Sequence, residues 1–273
     1  MAEKKRILVV TQEFHPFTDE SFIANITHAY SQYLQENGME VRILMPRFGS
    51  INERRHRLHE VVRLSGMNIT VDDDDYPLII KVASLPGTRM QIYFLDNEEF
   101  FKRKKMFTDQ DEKPFEDNLD RMIFFGKGVI ETVKKFGWAP DLVHCHGWMT
   151  SLIPAYMKNH FKNEPIFRSA KFVYTPYTDP AQVSPNDPTR FSAKISSNQM
   201  TSDCADCYVT EGKLDLHRGA AQFSDAIVIS SEMSMEAPTE VPVLCSELLP
   251  DNNDWSSYLD FFNQLMLKAE QTV

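Results

Sequence analysis

The chain has 273 residues, ordinary apolar (42%) and charged (25%) shares, and a formal net charge of −10, which suits one large α/β domain or two small ones with a full core. The acidic balance, with a run at Asp72 to Asp75, argues against a protein that tracks nucleic acid or anionic lipid by bulk charge. No stretch approaches transmembrane length and the start, MAEKKRILVV, carries no cleavage-like site, so the expectation is a cytoplasmic protein with no nucleic-acid and no membrane partner.

Arg6 to Val10 is a compact apolar run after a charged start and reads as the first strand. A loop, Thr11 to Thr18, follows with Glu13, His15 and Pro16; from Asp19 onward Phe22, Ile23, Ile26, Tyr30, Tyr33 and Leu34 recur at helical spacing until Asn37-Gly38 stops the helix. Val41 to Met45 is the next strand. Strand, long helix and strand with short joints make a βαβ unit with a right-handed crossover. Its first loop, TQEFHPFTDESF, has no glycine. No backbone there can approach a pyrophosphate closely, and Asp19 and Glu20 repel one, so a dinucleotide fingerprint is excluded at this turn.

Arg54 to Arg63, with four arginines and two histidines, reads as a solvated face, and Leu58 to Val71 as a strand or two. Leu78 to Ala83 and Met90 to Leu95 flank Leu85-Pro86-Gly87-Thr88 and predict an antiparallel hairpin added to the sheet. A polar connector, Glu98 to Pro114, leads to a helix over Asp117 to Phe136, which Gly137-Trp138-Ala139-Pro140 ends. The chain then enters DLVHCHGWMTSLIPAYMK, Asp141 to Lys158. This is a buried strand, a turn through His146, Gly147 and Trp148, and an apolar helix. In an open parallel sheet ligands bind at the carboxyl ends of strands, so His144, His146 and Trp148 stand where chemistry is usually done. The competing reading, that they cap and pack a βα corner, stays open at this point.

Lys171 to Thr175 is a further strand, Pro176 to Pro188 a loop dense in proline and aspartate, Leu214 to Phe223 a helix and Asp225 to Ser230 a last buried strand. Glu236 to Pro250 reads as irregular and proline-rich, and Asp254 to Ala269 as an amphipathic helix with Trp255, Tyr258, Leu259, Phe262 and Met266 along one side. Cys204 and Cys207 form a lone C-x-x-C with no second pair beyond it, so reduced thiols are expected, with no metal and no cofactor.

Four separated segments resemble the N-terminal domain of bacterial glycogen and plant starch synthases, retaining transferases that move glucose from ADP-glucose to the end of an α-1,4-glucan. They are Glu13 to Arg47, with Gly38, Val41, Pro46 and Arg47 on the family's "G-x-x-V-x-x-x-x-P-R"; Asp117-Asn118 with Arg121 and Phe124; Trp138 to Tyr156, with Pro140-Asp141, His144, His146, Trp148, Leu152 and Pro154-Ala155-Tyr156; and Phe223 to Ser231. The resemblance implies an α/β, Rossmann-like parallel sheet flanked by helices, similar to the N-domain of a GT-B glycosyltransferase, with the hairpin added. It divides the chain into a domain over 1–235, a proline-rich connector over 236–253 and a C-terminal helix over 254–273 that packs back on the domain. It makes His146, the counterpart of the histidine near the transferred glucose, the candidate catalytic residue, and Glu13, His15, Asp19, His144, Trp148 and Tyr177 the candidate substrate-binding residues.

The departures from the family pattern carry as much weight. The family's "K-x-G-G-L-x-D" falls on Asp19-Glu20-Ser21-Phe22-Ile23-Ala24-Asn25, so a cation has become an anion and both glycines are gone. "H-x-H-D-W" is His144-Cys145-His146-Gly147-Trp148, without its aspartate, and "T-I-H-N" falls on Thr175-Pro176-Tyr177-Thr178, without its histidine. The family's second Rossmann-like domain, which binds most of the ADP-sugar, finds no counterpart in these residues. The expectation is a homologue that binds glucan or a small sugar and is catalytically incompetent alone. The alternatives are half of a two-chain glucosyltransferase, with a separate donor-binding chain, and a non-catalytic assembly or regulatory subunit, for instance in a homo-oligomer.

Overall fold

The computed structural model describes residues 4–178, 187–230, 238, 240–250, 252 and 254–270. Its first half alternates strands with helices: β1 (Arg6–Thr11), α1 (Phe22–Glu36), β2 (Glu40–Pro46), α2 (Glu53–His56), β3 (His59–Glu60), β4 (Met67–Val71), β5 (Asp74–Ser84), β6 (Gln91–Asp96), α3 (Glu98–Phe101) and α4 (Asn118–Phe136). The second half runs β7 (Leu142–His146), α5 (Leu152–Lys158), β8 (Lys171–Thr175), α6 (Pro188–Ser197), α7 (Ser202–Asp206), β9 (Val209–Thr210), β10 (Lys213–Leu214), α8 (Leu216–Phe223), β11 (Ala226–Ser230), β12 (Val243–Ser246) and α9 (Ser256–Glu270).

One sheet takes the order β12-β11-β8-β7-β1-β2-β6-β5-β3, with β4 paired off this path to β5. The five strands expected from apolar runs, β1, β2, β7, β8 and β11, all lie in it and pair in parallel where they are neighbours. Runs such as Ile7-Leu8-Val9-Val10 are buried throughout, as strands covered by helices on both faces must be. The expected hairpin is present as β5 and β6, antiparallel from Ile79↔Asp96 to Ser84↔Gln91, and β6 joins β2 in parallel. The chain steps outward from β1 through β2 and β6, then returns through β7 to the other side of β1. That reversal makes the β1/β7 seam the topological switch point, where the loops leaving the carboxyl ends diverge and leave a crevice.

Several local expectations need correction. Val243–Ser246, inside the stretch read as irregular, is the edge strand β12, parallel to β11 from Ile227↔Val243 to Ser230↔Ser246. The stretch between β8 and α8 holds α6 and α7, which carry few apolar positions: α6 buries only Phe191 and Ile195. Its start was nevertheless signalled, because Pro188 follows Asp187, whose side chain accepts from the backbone N–H groups of Thr189 and Arg190. One residue of the acidic run holds this stretch in place. Asp72, at the β4–β5 turn, pairs with Lys194 and accepts from Ser197 Oγ at 2.6 Å and Asn198 Nδ2 at 2.8 Å, fastening α6 to the hairpin. Most of the expected loop after Pro176, residues 179–186, lies outside the described residues, as does Ser231.

The terminal stripe is buried. Trp255, Tyr258, Phe262 and Met266 are each at most 3% exposed, and α9 lies against α1, β8 and β12. Phe262 meets Tyr30 of α1 at 6.4 Å and the His144 ring at 5.4 Å, both edge-on. Asp254 accepts from the Tyr33 hydroxyl at 3.1 Å.

Candidate functional site

Residues 12–20, after β1, and 147–151, after β7, flank the crevice at the switch point. His144 and His146 are two apart on β7, so both side chains leave the sheet on one face, and their rings lie 3.9 Å apart. Their roles differ. His144 is bonded at both nitrogens, Nδ1 to the Tyr30 hydroxyl at 2.9 Å and Nε2 to Thr175 Oγ1 at 2.7 Å. Burial, and secondarily the neighbouring His146, hold it well below the usual imidazole range. A neutral ring with both nitrogens used ties β7, β8 and α1 together.

His146 uses only one nitrogen. Its Nδ1 pairs with the Tyr177 hydroxyl at 2.9 Å, while Nε2 is buried with no partner among the described residues. Burial lowers its pKa to about 3, so near neutrality the ring is uncharged. A buried polar atom without a partner costs on the order of 1–3 kcal/mol and calls for an explanation.

The remaining candidates sort by burial. Trp148 is 2% exposed, with its ring against Phe107 at 5.1 Å, and Tyr177 is 3% exposed. Of His15, His146, Trp148 and Tyr177, only His15 is partly exposed. Glu13 is 7% exposed, and its Oε1 accepts from Gln12 Nε2 at 3.1 Å. At the surface His15 stacks on His28 with centroids 5.4 Å apart. Burial, then the charge of His15, lowers the pKa of His28. Asp19 is exposed beside the α1 N-terminus.

That N-terminus is closed on itself. Ser21 has an extended backbone and its Oγ accepts from Ala24 N at 3.0 Å, an N-cap that consumes an amide otherwise offered to an anion. Phe22, where the resemblance implies glycine, is 53% exposed and approaches Tyr177 edge-on at 6.3 Å.

Sequence reasoning missed Gln12 and the conformation of Gly147. Gly147 has φ 82° and ψ 166°, a region open essentially to glycine alone. A Cβ on it would come within 2.5 Å of Gln12 Oε1. Gln12 fills this space while Oε1 accepts from Met149 N at 3.2 Å. Only the glycine hinted at the turn, and the partner is 137 residues away. Below the turn, the Tyr174 hydroxyl donates to the Gly147 carbonyl at 3.2 Å and meets His217 Nδ1 at 2.7 Å.

The C-x-x-C thiols are protonated groups in packed surroundings. Burial, then Cys207, pushes Cys204 up to about 12; its Sγ faces Met200 Sδ at 3.7 Å. Among the described residues no cluster of three metal-binding side chains forms and no helix is long and apolar enough to cross a membrane.

Comparison with known proteins agrees with the resemblance. A glycogen synthase from Chlorobium luteolum is 40% identical over 171 residues, covering 62% of this chain and 35% of that protein. One from Chlorobaculum tepidum is 40% identical over 174 residues with the same shares. The chain thus spans about a third of the length of these relatives. In fold it is similar to the catalytic domain of starch synthase IV from Arabidopsis thaliana, solved bound to ADP and acarbose, with a TM-score of 0.66 at 16% identity over 83% of this chain and 45% of that one. The starch synthase catalytic domain model matches residues 6–240: with its mostly parallel sheet and its topological switch point at β1/β7, the chain belongs to the starch synthase catalytic domain family.

Proposed function

We propose that the crevice receives a neutral sugar, the end of a glucan or a small oligosaccharide, and that these residues alone do not transfer glucose from ADP-glucose. The observation that carries the second half is the start of α1: Ser21 caps the helix, Asp19 stands exposed beside it, and Phe22 projects where a donor would approach. Glycosyl transfer requires the leaving diphosphate to be held and its developing charge neutralised, usually the largest catalytic contribution. An N-terminus already capped and flanked by a carboxylate does the opposite. The unbonded Nε2 of His146 supports the first half. A neutral imidazole accepts from or donates to a sugar hydroxyl without a charge to desolvate. His15 and Asp19 are assigned to the rim and Tyr177 to orienting His146, whereas Glu13, His144 and Trp148 serve the crevice by packing.

The same Nε2 also suits a second reading, a glucosyltransferase whose donor-binding half lies on another polypeptide. Purified protein is incubated with radiolabelled ADP-glucose and glycogen, with and without cell extract. The expected result is no transfer by the protein alone. Transfer by the protein alone that disappears in His146→Ala would overturn the proposal, and transfer that needs both protein and extract favours the two-chain reading. A pull-down on glucan tests the binding half against a purely regulatory subunit.

A further inference from the structure

At the opposite end of the sheet from His146, a cleft of about 360 Å³ lies between the end of α5, the turn at Pro165–Phe167 and the first residues of β8. Behind it Phe167 and Phe172, 6% and 4% exposed, pack with ring centroids 5.9 Å apart. Its rim carries Lys158, Lys162, Arg168 and Lys171, all from the one stretch that leads from α5 into β8. The cleft's two carboxylates are already occupied. Asp225 pairs with Lys158 at 2.7 Å while its other oxygen accepts from Phe172 N at 2.8 Å, and Glu164 pairs with Lys134 at 3.0 Å. Among the described residues Lys162, Arg168 and Lys171 have no carboxylate partner.

Scattered surface lysines are ordinary. Three uncompensated cations around one concavity, in a chain of net charge −10, are not what bulk composition supplies. An arginine with neighbouring lysines matches a phosphate group, which the guanidinium binds in bidentate fashion while the ammonium groups add point charge. The volume exceeds that of a phosphate ion and leaves room for the group the phosphate is attached to. We propose that this cleft binds a small phosphate ester, a sugar phosphate or a nucleoside monophosphate, at a site separate from the crevice. The strands place the two sites on the order of 13 Å apart, from Lys171 to Thr175 along β8 at about 3.3 Å per residue.

The test is calorimetric titration of the full chain with orthophosphate, glucose 1-phosphate and AMP at low and high salt. The expected result is saturable binding of one or both esters, tighter than orthophosphate and weakened by salt. The sugar and nucleotide arms identify which ester the cleft accepts. Lys162→Ala/Arg168→Ala, both exposed positions, should weaken it at least about tenfold. Arg54→Ala/Arg55→Ala, an equal charge change on an exposed surface elsewhere, should leave it unchanged. Absence of ester binding overturns the proposal, as does equal weakening by both double variants. Orthophosphate binding as tightly as either ester removes the role given to the rest of the cleft and overturns the ester assignment.

Discussion

At position 147 backbone and neighbour agree on glycine. Its φ of 82° with ψ of 166° admits almost no other residue, and Gln12 occupies the space beside it. Restoring the family's aspartate by Gly147→Asp should therefore destabilise the fold by about 1–3 kcal/mol from the backbone alone, with a further loss as Gln12 gives up Met149 N. Thermal melting checks this, and a variant that melts with the parent would show that the turn relaxes freely. The two histidines of β7 make a second prediction. Both are held neutral in the fold, His146 with a pKa of about 3 and His144 well below its ordinary value. Unfolded, each titrates near 6.5, so between that value and the folded pKa the unfolded state binds more protons. Stability is then fully present above about pH 6.5 and is lost as pH falls, by at most about 1.4 kcal/mol per pH unit for each histidine. Urea denaturation at pH 7 and pH 5 should show this loss. His146→Gln, which does not titrate, should make it shallower, and an unchanged slope would remove His146 from the account.

Among the elements, α9 carries the clearest energetic claim. Phe262 is fully buried between Tyr30 and His144, so Phe262→Ala should cost about 3–5 kcal/mol. Loss of stability without change in oligomeric state supports docking on the chain's own sheet; a stable monomer released from a dimer would place the stripe in an interface instead. The helix was legible because Trp255, Tyr258, Phe262 and Met266 repeat at helical spacing, and β1, β2, β7, β8 and β11 because continuous apolar runs mark strands buried on both faces. β12 was not legible. Its residues alternate between exposed and half-buried beside Pro242 and Glu247, and an edge strand needs only one neighbour to form. α6 escaped for a related reason: with two buried positions, its placement depends on Asp72, Lys194 and Asn198 more than on an apolar face.

For the whole molecule, the crevice follows from topology, since the reversal at β1 brings residues far apart in sequence to one seam. The motif residues His144 and His146 could be found in the sequence. Their division of labour could not, because it rests on Tyr30, Thr175 and Tyr177, each reached only through the sheet and its covering helix. The anionic, capped start of α1 was half legible: Asp19 and the missing glycines were visible, whereas the hydrogen bond from Ala24 to Ser21 and the stance of Phe22 were not. The central claim is that this crevice selects a neutral sugar over a sugar nucleotide. Separate calorimetric titrations of the purified protein with maltoheptaose and with ADP-glucose test it most directly. The account predicts saturable heat with maltoheptaose that is lost in His146→Ala, while ADP-glucose binding is unaffected by changes at Asp19, Phe22 or His146; ADP-glucose binding more tightly than maltoheptaose, and abolished by His146→Ala, would contradict it.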